Sequence, residues 1–150
     1  IVFGDWSSDV CSSDLDAVMR AQWSTAVDYC QNLELGPYTD WRLPTISELR
    51  SLIRGCDDTQ TGGDCLVADD CLDFYSCCNE PCDGCESGQG PANGNYWPLP
   101  LEEGIYSQRF WSSSSATGGP DNCVWVIDFR DGQIFGTDIE MNLREVRCVR

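Results

Sequence analysis

The sequence predicts an α+β fold in a single domain. Its 150 residues are enough for one hydrophobic core. Apolar residues recur at helical spacing in the first part of the chain, whereas alternating β-branched and aromatic residues, typical of strands, fill the last part. Eleven cysteines indicate disulfide cross-links in an oxidising compartment, so we expect a secreted or cell-surface protein.

The first helix is predicted to follow Trp23, with Ser24 or Thr25 as its N-cap, and to stop at residues 35–37. One face of this helix carries the apolar residues Ala26, Val27, Cys30 and Leu33. Cys30 is therefore expected to face the core from the middle of the helix.

A second helix is predicted after the most distinctive motif of the sequence, which consists of Trp41, Arg42, Leu43, Pro44, Thr45 and Glu48. The residue before Pro44 is held in an extended conformation, because a following proline disfavours the helical region. Thr45 and Glu48 have the spacing of a capping box. A helix is therefore predicted over residues 46–54, with Gly55 ending it.

Four strands are predicted in the last part of the chain, over residues 110–114, 123–129, 133–135 and 145–150. Asp131-Gly132 is typical of a hairpin turn and would join the second strand to the third. One face of the second strand carries Cys123, Trp125, Ile127 and Phe129, and one face of the last carries Val146 and Cys148.

The charge of the chain limits its partners. It has nine basic residues, no histidine and 25 acidic residues, which give a formal net charge of −16. Phosphate recognition needs basic residues, so neither a nucleic acid nor an anionic membrane surface is an expected partner. No apolar run approaches the ~20 residues of a membrane span, so membrane insertion is not expected. Histidine, the commonest general base and zinc ligand, is missing, and the expectation is a chain without a cofactor.

Residues 1–15 differ from the rest of the chain because they show no periodicity. Ser-Ser-Asp occurs at residues 7–9 and again at 12–14, on either side of Cys11, in a run that resembles a translated sequencing adapter. We therefore predict a non-native or disordered segment over 1–15, with a polar N-terminal arm as the alternative, and one domain over 16–150. No signal peptide is visible and the chain starts at Ile1 rather than Met, so the expectation is a fragment whose targeting segment lies upstream or is lost.

A cysteine-rich insert is predicted over residues 56–108, where the regular patterns disappear. Its cysteines are Cys56, Cys65, Cys71, Cys77, Cys78, Cys82 and Cys85. A segment of this length without secondary structure is unusual in a compact domain unless it is functional or cross-linked. We therefore predict that the insert is held by disulfides.

No metal site is predicted, although Ca²⁺ is left open. The carboxylates that could supply oxygen ligands are those of Asp57, Asp58, Asp64, Asp69, Asp70 and Asp73. They lack the spacing of an EF-hand, and a run of charge is usually a solvated surface. The cysteine pairs at residues 77–78 and 82–85 also occur in zinc and redox sites, but an oxidising compartment favours disulfides.

One disulfide is predicted with definite partners. Cys30 and Cys148 are both expected to face the core, and a bond between them would join the first helix to the last strand. In the chain-entropy model, a disulfide that closes a loop of this length stabilises the folded protein by about 4–5 kcal/mol. Two further pairs are predicted by position, Cys56 with Cys65 and Cys78 with Cys123, for about five disulfides in all.

Five motifs occur in a fixed order along residues 20–150. They are Trp23 with Cys30, Thr39-Asp40-Trp41-Arg42-Leu43-Pro44-Thr45 with Glu48, Phe110-Trp111-Ser112-Ser113-Ser114, Trp125-Val126 with Asp128-Phe129, and Val146-Arg147-Cys148-Val149-Arg150. In this order they resemble the Lcl C-terminal domain family, named after the C-terminal domain of a bacterial collagen-like adhesin. The resemblance implies a C-type-lectin-like fold, in which two helices pack on a twisted antiparallel sheet, and exported proteins that bind rather than catalyse. The adhesin is associated with sulfated glycosaminoglycans, which a strongly acidic chain is not expected to bind.

Asp121 and Asn122 are the first pair of candidate ligand residues. With the preceding Gly119-Pro120 they resemble the Glu-Pro-Asn or Gln-Pro-Asp loop of C-type lectins, which binds sugars through Ca²⁺. Proline, aspartate and asparagine are also ordinary turn residues, so a plain strand connection is the alternative.

Asn95, Tyr96 and Trp97 are the second candidate site, because two aromatic rings in irregular chain could form a sugar platform. Tyr106 and Trp111 are further aromatic candidates, although Trp111 is more typical of a core. The expected partner is therefore a carbohydrate or a protein on another surface.

Two other functions are kept as alternatives to an adhesive binding domain. Residues 42–48 also resemble formylglycine-generating oxidases, copper and thiol enzymes that need a reactive cysteine pair near the C-terminus. Cys148 has no cysteine close to it in sequence, which disfavours this function. The other alternative is a purely structural module of an exported protein.

Overall fold

A mixed five-stranded sheet organises the structure, a computed structural model that describes residues 20–98 and 109–150. Its strands are β1 (Arg20–Ala21), β2 (Arg109–Ser115), β3 (Cys123–Asp128), β4 (Gln133–Asp138) and β5 (Arg144–Glu145). They lie in the order β1-β5-β2-β3-β4, and neighbours are antiparallel except for β2 and β5. The α+β class is confirmed, but the sheet is not wholly antiparallel, because β5 enters between β1 and β2.

Helix α1 (Trp23–Gln31) begins one residue earlier than predicted. Gln22 occupies the N-cap position without a side-chain capping bond, so the prediction of Ser24 or Thr25 as the cap is wrong. Tertiary contacts fix this helix start instead. The Gln22 side-chain amide donates to the Glu140 carbonyl at 2.7 Å, and the Trp23 indole N–H donates to the Ser112 carbonyl at 2.9 Å.

Helix α2 (Ile46–Arg50) has the predicted capping box. The Glu48 amide donates to the Thr45 hydroxyl at 3.2 Å, and the Thr45 amide donates to the Glu48 carboxylate at 2.8 Å. The helix ends at Arg50 instead of reaching residue 54, because the next amides bond three residues back, in tighter 3₁₀ geometry. Gly55, with a φ of +81°, lies beyond these turns.

The β3–β4 hairpin follows the sequence pattern closely. Pairing runs from Cys123 opposite Asp138 to Asp128 opposite Gln133, so β4 is longer than predicted. Gly132 has a φ of +72° in the turn, a conformation that glycine adopts without steric cost.

The central strand β3 is covered on both faces of the sheet, and alternate side chains enter two different apolar clusters. On one face, Trp125 and Ile127 pack with Ile46 and Leu49 of α2, and Phe129 belongs to the same cluster, as predicted. On the other face, the α1 residues Ala26 and Cys30 pack with alternate residues of β2 and β3, namely Trp111, Val124 and Val126. All six residues of β3 are consequently buried.

The insert is part of the core rather than an appended loop. Its buried residues are Cys56, Cys65, Val67, Cys77, Cys82, Ala92, Tyr96 and Trp97, all in the cluster with α2. Its one regular element is a 3₁₀ helix (Glu80–Asp83) among the residues described. The buried guanidinium of Arg50 reaches into the insert and donates to the carbonyls of Thr59, Gln60, Gly63 and Val67.

Four disulfides link the described residues, and the one between Cys30 and Cys148 is confirmed, with Cα atoms 5.4 Å apart. The other three are Cys56–Cys85, Cys65–Cys82 and Cys71–Cys77. The predicted pair of Cys56 and Cys65 is wrong, because the intervening chain folds around Arg50 and turns each sulfur towards the later half of the insert. Cys78 and Cys123 are free thiols, so the predicted link between them is absent from the described part.

The C-terminal tail leaves the sheet earlier than predicted. β5 contains only two residues instead of the strand expected over 145–150. The tail then pairs with the motif before α2, since Arg42 and Val149 exchange backbone hydrogen bonds of 2.8 Å in both directions. Within the described ranges, no helix is long and apolar enough to cross a bilayer.

Candidate functional site

The two rings of the predicted aromatic platform are buried in the core. Tyr96 is 3% exposed and Trp97 is 2% exposed. The Trp97 ring packs against Phe110 and Phe129, at centroid distances of 5.1 Å and 4.4 Å. The Tyr96 amide donates to the Phe129 carbonyl at 2.8 Å, which closes the insert against the sheet. Neither ring is therefore available to a ligand.

The other residues of that prediction are equally unsuited to a platform. Asn95 exchanges backbone hydrogen bonds with Ala92 in a tight turn and is only partly exposed. Trp111 is fully buried, as expected for a core residue. Tyr106 lies outside the described residues.

Asp121 and Asn122 line a groove of about 400 Å³, which we call the β2–β3 groove. It is formed by the connection between β2 and β3, by Trp23 at the start of α1, and by Ile139 after β4. The structure thus brings the first pair of predicted ligand residues together with an aromatic ring.

The position of each groove residue is fixed by a contact with the fold. Because the Trp23 indole N–H is bonded to the Ser112 carbonyl, the polar edge of the ring is held at β2 while the half-buried ring lines the groove. Asn122 has a φ of +60°, which asparagine tolerates better than most residues. Its carbonyl accepts the Ile139 amide at 3.0 Å and thereby ties the connection to the end of β4.

The groove has a negative electrostatic character. Asp121 contributes a carboxylate, and no basic residue is among the described residues that line it. Burial raises the pKa of the Cys123 thiol, and the nearby Asp138 carboxylate raises it further. An anionic ligand would therefore meet like charge at this site.

The acidic residues of the insert are not grouped in the way that a Ca²⁺ site would need, among the residues that the structure describes. Within residues 20–98 and 109–150, no three carboxylate or cysteine side chains lie together in a way that could hold a metal ion. Aspartates 57, 58, 64, 69, 70 and 73 consequently do not converge there.

The two free thiols lie in environments that suppress reactivity. Burial raises the pKa of Cys78, with a further rise from Asp83, and Cys123 is buried beside the groove. Since the thiolate is the reactive form, both side chains are expected to be poor nucleophiles.

We expect Cys78 and Cys123 to be alkylated at least about tenfold more slowly in the folded protein than in denaturant, because burial limits both access and ionisation. Iodoacetamide labelling followed by peptide mass spectrometry measures each site separately. Fast labelling of either thiol in the folded protein, or a disulfide-linked peptide containing both, would contradict this expectation.

Sequence reasoning missed Trp23 and Ile139 as groove residues. The hydrogen bond from Trp23 to Ser112 spans 89 residues, so no local spacing could reveal that this tryptophan lies beside the β2–β3 connection. Its position directly before a predicted helix was the available signal, and a helix start is compatible with many roles.

The family model described as Lcl C-terminal domain matches residues 5–150. No curated protein and no solved structure matches the chain. The matched range begins within residues 1–15, which lie outside the described residues, and their predicted non-native character stays a prediction.

Proposed function

Because the chain belongs to the Lcl C-terminal domain family, we propose that it is an extracellular binding domain whose β2–β3 groove takes a saccharide. We also infer a C-type-lectin-like fold. Two helices on a largely antiparallel sheet support this fold, as do the pairing of β1 with β5 and the bond of Cys30 to Cys148 near the chain end. Four disulfides favour an oxidising environment, and the proposed location is the cell surface or the secreted fraction.

The observation that carries this proposal is the meeting of an aromatic ring with an aspartate and an asparagine in one groove. A sugar has an apolar C–H face and a rim of hydroxyl groups. The Trp23 ring can cover the apolar face, while the Asp121 carboxylate and the Asn122 amide can bond hydroxyls as acceptors and donors. A groove that combines apolar cover with a few fixed polar groups is the usual form of a small-ligand site.

The charge of the groove restricts the proposed saccharide. Sulfate or uronate groups would be repelled by Asp121 and by a chain with a net charge of −16. Neutral sugars avoid this repulsion, and the positive charge of an amino sugar would be attracted to the Asp121 carboxylate. The proposed ligand is thus a neutral or amino saccharide on another surface.

The cysteine arrangement favours binding over the oxidase-like alternative. Cys148 is bonded to Cys30, and the thiols of Cys78 and Cys123 have raised pKa values. A thiol oxidase requires the opposite, an accessible cysteine with a lowered pKa. The other alternative is a purely structural module without a ligand. Failure of every sugar to bind would support that alternative.

Replacing Asp121 with alanine is expected to weaken saccharide binding about tenfold, because a hydrogen bond to a charged group contributes roughly 1.5–3 kcal/mol. A glycan array with neutral, amino and sulfated sugars, run with and without Ca²⁺, identifies the probe, and calorimetry on the best-bound glycan gives the affinities. Asp121 is exposed, so its loss should leave the fold intact.

The matched control is Asp70→Ala, which removes the same charge from an exposed residue of the insert outside the groove. It should change the affinity less than about twofold, since Asp70 does not line the groove and an exposed charge is screened by solvent and salt. Equal losses in the two variants would contradict a site in the groove. If no glycan binds the unmodified protein, the proposed function itself is refuted.

A further inference from the structure

The geometry points to a longer site than the groove alone. The proposed site continues from the groove, past Gly118 and Gly119 in its wall, to Tyr75. The domain would then bind a chain of two or more sugar units rather than a single sugar. This inference rests on the saccharide function proposed above and specifies its ligand. It depends on the loop closed by the Cys71–Cys77 disulfide, which we call the Cys71–Cys77 loop.

The wall between the groove and this loop is one backbone thick. Gly118 and Gly119 line the groove on one side. On the other side they contact the Cys71–Cys77 loop, since a Cβ added at Gly119 would lie 2.5 Å from the Phe74 Cβ, and one added at Gly118 would collide with the Asp73 carboxylate. Residues 73 and 74 therefore lie directly behind the two glycines that line the groove.

Backbone pairing fixes the Cys71–Cys77 loop to this wall. The Phe74 amide donates to the Thr117 carbonyl at 2.6 Å, and the Thr117 amide donates to the Leu72 carbonyl at 2.9 Å. The Phe74 ring stacks on the Trp125 ring at a centroid distance of 5.8 Å, which anchors the loop in the core. These contacts hold the loop against the segment that lines the groove.

The tip of the loop is ordered without a ligand. The Asp73 carboxylate accepts hydrogen bonds from the amides of Tyr75 and Ser76, at 3.1 Å and 2.8 Å, and from the Ser76 hydroxyl at 2.6 Å. Together with the disulfide, these bonds hold the backbone on which Tyr75 is displayed. Binding to a pre-ordered tip avoids much of the entropy cost of immobilising a loop.

Tyr75 is the most exposed aromatic residue of the described chain. It is 74% exposed, compared with 41% for Tyr38 and 37% for Tyr29. Its contact with Phe74 is edge-on, at 5.4 Å and 80°, which leaves most of the ring exposed to solvent. A large ring held exposed on a rigid loop is typical of a binding contact, because tyrosine is enriched among the residues that dominate interfaces.

The test is the dependence of affinity on chain length. Calorimetry would use linear neutral oligosaccharides of glucose, mannose, galactose and N-acetylglucosamine, each from the monosaccharide to the tetrasaccharide. For a series that binds, Tyr75→Ala is expected to lose about fivefold to tenfold more affinity for the tetrasaccharide than for the monosaccharide. The control Tyr29→Ala removes another exposed tyrosine that does not line the groove, and it should change neither affinity by more than about twofold.

The outcomes separate this inference from the proposed function. If a series binds but its affinity does not rise with length, or if Tyr75→Ala weakens every member equally, the extension to Tyr75 is refuted while the groove site stands. If no sugar of any length binds the unmodified protein, the saccharide function fails, and this extension fails with it.

Discussion

Replacing Cys30 and Cys148 together with alanine is expected to lower the free energy of unfolding by about 4–5 kcal/mol. The bond joins residues 118 positions apart, so its removal frees nearly the whole described chain in the unfolded state. In the folded state, the pairing of Arg42 with Val149 and the contacts of Arg147 with Trp97 and of Arg150 with Tyr38 would still hold the tail beyond β5. The loss is comparable to the total stability of a small domain, which is marginal.

Denaturant unfolding of the double variant measures this loss. The control is Cys71→Ala with Cys77→Ala, which opens a disulfide spanning only six positions and should cost about 2 kcal/mol in the same entropy model. Hydrogen exchange should also increase at the Arg42 and Val149 amides in the first variant and not in the second. A smaller loss for the long bond than for the short one would contradict the argument.

The elements that the sequence predicted well are those set by neighbouring residues. The capping box of Thr45 and Glu48 closes over three residues, and the β3–β4 hairpin closes around Asp131-Gly132. The bond of Cys30 to Cys148 is the exception over long range. It was predictable because the apolar pattern marks both residues as core-facing, although the strand expected to carry Cys148 ends at Glu145.

The insert was not predictable because its order comes from contacts that leave no local pattern. Irregular chain around Tyr96 and Trp97 suggested exposed rings, yet both rings are buried as the insert closes on the sheet. Cys56 pairs with Cys85, 29 positions away, because the chain between them folds around a buried side chain rather than along a strand or helix. The β2–β3 groove is likewise unpredictable from local sequence, because it combines Trp23 with the connection between β2 and β3, which is far from Trp23 in sequence.

That buried side chain, Arg50, explains the second large effect that we expect. Arg50→Met should lower the free energy of unfolding by roughly 3–5 kcal/mol, because removing a buried charged partner leaves the groups around it unsatisfied. Arg50 is 7% exposed, and its guanidinium donates to four carbonyls between Thr59 and Val67, at distances of 2.8–3.2 Å. These carbonyls converge on Arg50 because the insert has no sheet or helix there to bond them.

Arg50→Lys should not rescue stability, although it keeps the positive charge. A guanidinium offers five donors in a planar fork, whereas an ammonium is a point charge with three, and it cannot reach carbonyls spread around that plane. Burial already lowers the pKa of Arg50, so charge alone is a cost at this site and the directed hydrogen bonds offset it. A lysine variant as stable as the unmodified protein would refute this account.

Arg54→Met is the matched control, because Arg54 lies on the same segment but is exposed. Among the described residues, its guanidinium donates to the nearby carbonyls of Ser51 and Ile53. It should cost less than about 0.5–1 kcal/mol in denaturant unfolding. If Arg50 organises the insert, its loss should also raise hydrogen exchange from residue 58 to residue 67 and slow correct pairing of Cys65 with Cys82 during oxidative refolding. Slower pairing would show that the carbonyl contacts of Arg50 help to bring Cys65 and Cys82 together.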